Sequence, residues 1–166
     1  MSCKPLCAVV CGLFFIAAAP ATKPVAKSTA LLDVVLADVN AMPQAYWHPA
    51  TDVASVAKSQ WMRNYVDLRI AANKDRKMTV NGDLARVSAG GTASVDVLVV
   101  FGKHDVWGEP ALVKAAIRLD NVTIAEAATW QIGKSLSLVN VVQDNIEWPT
   151  NSGTLTIFAH GHLVKQ

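Results

Sequence analysis

All three cysteines, Cys3, Cys7 and Cys11, fall near the start of this 166-residue chain. The segment that holds them has the form of a secretory signal. Lys4 supplies a positive charge, an apolar run follows over residues 6–19, and Ala19-Pro20-Ala21 fits the small-x-small rule of a signal peptidase. The run is too short for a comfortable membrane span. Cleavage is expected after Ala21; the alternative is a retained N-terminal anchor. Cleavage removes every thiol, so the remainder can form neither a disulfide nor a thiolate zinc site. The mature chain must then fold on apolar burial alone, and its length allows one modest core. An exported chain without cysteines points to a bacterial periplasm. Cys11 is a candidate lipidation site that would add outer-membrane association. Against it, Ala8-Val9-Val10 lacks the small residue usual directly before an acylated cysteine.

Charge narrows the choice of partner. Removing the signal takes Lys4 from fifteen Lys plus Arg and nothing from thirteen Asp plus Glu, which leaves a net charge near +1. That is no footprint for nucleic acid or for an anionic membrane surface. Lys74-Asp75-Arg76-Lys77 is the densest basic patch, and an acid interrupts it.

Residues 22–27 read as a tether. Ser28-Thr29 can cap a helix that runs to about Met42, with Leu31, Leu32, Val35, Leu36 and Val39 on one stripe and Pro43 as its stop. Thr51 or Asp52 can cap a second helix through Val53, Val56, Ala57, Gln60, Trp61 and Asn64. Beyond Val66 strands dominate. Met78-Thr79-Val80 leads into Asn81-Gly82, a turn signal. Residues 83–89 then suggest a short helix or a hairpin. "SVDVLVVF" at residues 94–101 is the best strand, "GKHDVWGEP" reads as a loop, and residues 111–119 alternate as a strand. A final strand covers residues 154–160. The order predicts an α+β fold: N-terminal helices, then a small mixed-sheet sandwich with two helices on one face. The expected divisions are a signal at 1–21, a tether and helical segment at 22–65, and an α+β domain at 66–166.

Gly133-Lys134-Ser135 resembles the end of a phosphate-binding loop. A Walker A loop needs a glycine five residues before Gly133, after a strand and ahead of a helix. Ala128 occupies that position inside a helical pattern. Upstream, Thr123-Ile124-Ala125-Glu126 is a capping box, so the helix starts there and Gly133 suits its C-terminal end. Phosphate wants a helix N-terminus.

Other chemistry is sparse. His160 and His162 would share one face of a strand, a two-ligand arrangement for a metal. His104 adjoins Asp105, a pair that could activate a base if a nucleophile stood nearby. No Gly-x-Ser-x-Gly elbow is present. Asn121-Val122-Thr123 is a glycosylation sequon that coincides with the helix cap. Neither a cofactor nor a metal is expected. Of the five tryptophans, Trp61 suits a helical stripe. Trp107, Trp130 and Trp148 are candidate contacts for a protein partner, since tryptophan is enriched among interface anchors. The plainer reading is that loop tryptophans cap the edges of a small core.

Several short stretches together resemble the N0-like domain of the DotD/TraH family. They are "NGDLA" from Asn81, "VVFGK" ending at Lys103, "EPALV" from Glu109, "TIAEA" from Thr123, "QIGK" from Gln131, and the last strand. Leu31 to Val39 is similar to the family's N-terminal helix. The resemblance implies a secretin N0-like domain and a non-enzymatic role in a type IVB secretion or conjugation complex of the outer membrane. It implies docking to other protein subunits through an exposed sheet edge or a helix face. Family members are typically lipoproteins, and the sequence before Cys11 departs from that pattern. The alternative is a small periplasmic binding module or hydrolase in which His104, Asp105, His160 and His162 converge.

Overall fold

A computed structural model describes residues 29–149 and 153–162. Five strands dominate: β1 (Met78–Ala89), β2 (Ser94–Val106), β3 (Glu109–Asp120), β4 (Ser135–Glu147) and β5 (Thr154–His162). They close into a barrel in the order β1-β2-β3-β5-β4, with β4 pairing back onto β1. β3 and β5 run parallel; the other pairs are antiparallel. A five-stranded barrel with a helix before its fourth strand is the architecture of OB-type folds, which host many unrelated functions.

Period-two alternation decides which side chains fill the barrel. Along β3, Ala111, Val113, Ala115, Ile117 and Leu119 are buried, while Leu112, Lys114, Ala116 and Arg118 face outward. Val95, Val97 and Val99 of β2 and Leu155 and Ile157 of β5 complete that interior. Each such aliphatic side chain contributes about 1.5–3 kcal/mol on burial, before the entropy of ordering the chain is set against it.

Helices stop both mouths. α1 (Leu31–Asn40) sinks Leu31, Val35 and Val39 completely and contacts β1 and β2. Its last turn is tied to the β2–β3 hairpin. Trp107 donates its indole N–H to the Val39 carbonyl at 2.8 Å, and Asn40 Oδ1 accepts from the Trp107 amide at 2.9 Å. At the other end, α3 (Ile124–Ala127) brings Val122 and Ala127 into the core. α2 (Asp52–Asn73) lies outside, along β4. No helix among the described residues is long and apolar enough to cross a membrane.

The expected mixed-sheet sandwich with an N0-like face of helices is therefore corrected to a closed barrel. The decisive difference is β1. Residues 83–89 form no helix; they are the second half of a continuous strand and one arm of the β1–β2 hairpin, from Asp83↔Val100 to Ala89↔Val95. A bulge between Leu84 and Arg86 shifts the alternation by one. The inward Leu84 and Val87 thus stand three apart, which imitates a helical stripe. Asn81-Gly82 is no turn either. A Cβ on Gly82 would lie 2.5 Å from Val99 Cγ1 and 2.9 Å from the Val100 carbonyl oxygen, so the glycine permits close strand contact.

"GKHDVWGEP" is likewise a hairpin and not a loop. β2 continues to Val106, passes a bulge at Gly102, and turns through Trp107-Gly108, both at positive φ (57° and 76°). That is the two-residue turn that matches strand twist. The capping box at Thr123 and Glu126 is present. Its helix ends at Ala127 and not near Ile132. Gly133, at φ 82°, instead donates to the Leu84 carbonyl at 2.7 Å and starts the path into β4. At α1, the Thr29 hydroxyl accepts from Arg76 and does not cap the helix.

Candidate functional site

α2 begins with Thr51, whose hydroxyl accepts the Ala54 amide at 3.2 Å. Val53 and Val56, read from sequence as part of a buried stripe, point to solvent at 81% and 57% exposure. The face against the barrel is instead Trp61, Met62, Tyr65, Val66 and Arg69. A stacked series fastens it. Tyr65 lies on Trp61 at 4.6 Å, Trp61 meets Trp148 at 6.3 Å, and Trp148 stacks on Trp107 at 5.7 Å. Lys58 Nζ sits 4.7 Å from the Trp107 ring and donates to the Trp47 carbonyl.

Electrostatics follow this packing. Burial lowers the Lys58 pKa from its ordinary value. Burial, and then the Asp38 carboxylate, raise that of Tyr65. Arg69 bonds the buried Asp38 at 2.5 Å, and that hydrogen bond raises the guanidinium pKa further. α2 is thereby linked to α1 as well as to the barrel.

Between α2 and β4 runs a groove of about 560 Å³. Met62, Val66, Ile146 and Trp148 supply apolar surface; Ser59, Arg63, Asp67 and Asn145 supply polar groups. It is built by elements distant in sequence. Sequence reasoning missed Met62 and Val66. Their i, i+4 spacing, parallel to the Trp61–Tyr65 pair, is the signal that could have found them.

The three tryptophans proposed as contacts have different fates. Trp107 is buried as a strut of the hairpin. Trp148 is half-buried and lines the groove. Trp130 lies apart, in a hollow of about 230 Å³ with Leu84, Lys134 and Leu136. Ala21 and Cys11 lie outside the described residues.

The two histidine–aspartate regions do not meet. His104 pairs with Ala111 of β3 and His160 with Arg118. Seven residues of strand separate those partners, roughly 23 Å at about 3.3 Å per residue. His104 Nε2 contacts the Phe101 carbonyl at 3.0 Å, and Asp105 accepts the Gly108 amide at 3.1 Å, closing the hairpin. His160 pairs with Asp144, and His162 follows at the end of β5. Among the described residues no three His, Cys, Asp or Glu side chains gather as a metal site.

No family model and no curated protein matches this chain. The α2–β4 groove and the outer barrel wall thus have to be interpreted from their own geometry.

Proposed function

We propose that this chain is an exported, non-enzymatic interaction component of a bacterial cell-envelope complex, of the kind from which secretion or conjugation assemblies are built. The observation that carries the reading is the α2–β4 groove. An apolar floor with a rotamer-limited tryptophan and a polar rim is the anatomy of a protein-binding hot spot. The partner contributes an apolar segment that covers Met62, Val66 and Trp148. Docking through an exposed sheet edge is not part of the proposal, because each of the five strands pairs on both sides. The helix-face route remains. The signal-like N-terminus supports export, and the near-neutral charge suits a protein partner.

The test is affinity purification of the tagged chain from detergent-solubilised envelopes, followed by mass spectrometry. The wild-type protein should retain discrete envelope subunits, and Val66→Glu should lose them while keeping its circular dichroism spectrum. Recovery of a monomer alone from cells carrying the system would overturn the proposal.

A further inference from the structure

α2 presents two faces. Trp61, Met62 and Val66 turn toward the barrel and the groove. At about 100° of turn per residue, the opposite side carries Val53, Gln60, Asn64 and Ala71, all exposed. Val56 and Leu68 flank that stripe, one on each side. Val53, Val56 and Leu68 are large apolar side chains left in solvent. Apolar groups thus occupy both ends of the face and two amides its middle. The order is self-complementary. Laid antiparallel on a second copy, about a two-fold axis level with Met62, Val53 of one copy comes level with Ala71 of the other. Val56 comes level with Leu68, and Gln60 with Asn64; the members of each pair are equidistant from position 62.

We infer that this face joins two copies of the chain through an antiparallel α2–α2 contact. An isologous contact needs one patch that matches itself under a two-fold rotation. Here the apolar residues cover one another at both ends, and each central amide can donate and accept. Polar pairs in an otherwise apolar seam fix its direction and register. Charge selects the antiparallel arrangement. α2 opens on Asp52, and Lys74-Asp75-Arg76-Lys77 at its far end is three cations against one acid. Antiparallel packing brings Asp52 of each copy within two residues, about 3 Å of helix rise, of the level of the other copy's Lys74. A parallel pair would set Asp52 on Asp52 and the basic ends on each other. Arg63 and Asp67 also border the face, on its groove side. The two Arg63 side chains approach near the axis, and each keeps its own Asp67 one turn away. Lys58 and Arg69 are held inward by the Trp47 carbonyl and Asp38. The 22 residues of α2 span about 33 Å. A strip of that length and about 10 Å wide covers about 330 Å² per copy, under half of a standard interface. The pairing is therefore weak, with a Kd on the order of 100 μM, and serves copies already held close together. It leaves Met62 and Val66 free and does not rest on the protein-docking proposal.

The test is sedimentation equilibrium of the purified full chain from about 10 μM to about 1 mM, a range that brackets the expected Kd. The average mass should climb toward twice that of the monomer. Leu68→Glu should stay monomeric throughout and keep its circular dichroism spectrum, because position 68 is exposed. Val66→Glu, on the groove side, should self-associate as the wild type does, which separates this contact from docking in the groove. Asp52→Lys should weaken the pairing severalfold, and adding Lys74→Asp to it should restore the pairing. A chain that remains monomeric at about 1 mM overturns the inference. So does a Leu68→Glu chain that associates as the wild type does, or a charge-swapped chain that pairs no better than Asp52→Lys alone.

Discussion

At the scale of single residues, two side chains depart from what a barrel of this kind prefers. Gln143 is buried within the wall beside Ala159, and its Oε1 has no partner among the described residues. A buried unmet acceptor is costly, and methionine has nearly the same shape. Gln143→Met should therefore stabilise the protein by about 1 kcal/mol, raising Tm by a few degrees in a thermal melt. An unchanged or lower Tm would show that the amide is satisfied. Trp107 is the opposite case. It occupies the left-handed region at φ 57°, which costs a non-glycine residue about 1–2 kcal/mol. It remains there because its buried ring stacks on Trp148 and donates to the Val39 carbonyl. Trp107→Ala keeps the backbone strain and loses the ring. It should cost about 3–5 kcal/mol in chemical denaturation, and a loss below 1 kcal/mol would contradict its role as the strut between hairpin and α1.

At the scale of elements, close strand contact depends on Gly82. Gly82→Ala would press a methyl group against Val99 and the Val100 carbonyl, with a cost of about 2 kcal/mol from overpacking. Denaturant unfolding of that variant checks it, and a neutral result would mean that β1 and β2 can move apart freely. This same glycine explains why β1 was illegible in sequence. Asn81-Gly82 has turn chemistry, and the bulge after Leu84 breaks period two, so one strand looked like a turn followed by a short helix or a hairpin. The β2–β3 hairpin was hidden for a related reason, because tryptophan at positive φ is not a turn signal. Elements with local determinants were legible: α1 from its apolar stripe, the start of α2 from Thr51, the start of α3 from its capping box, and β3 from its alternation. The extent of α2 was not, and of its inward face only Trp61 was read, because Val53 and Val56 imitate a buried stripe while β4 selects Met62 and Val66.

At the scale of the whole molecule, closure replaces the edges that a mixed sheet would have offered. It also brings α1 into the same core as the strands. The surface proposed to receive a partner is made by packing α2 across β4; the Met62–Val66 spacing marks its α2 side, but no local pattern joins that side to β4. The most direct measurement is photo-crosslinking in cells that carry the full system. A crosslinking residue replaces Arg63 on the groove rim, or Thr92 in the β1–β2 loop as a control outside the groove. A discrete protein adduct at position 63, absent at position 92, is the predicted result. No adduct at position 63, or equal adducts at both positions, would contradict docking in the α2–β4 groove.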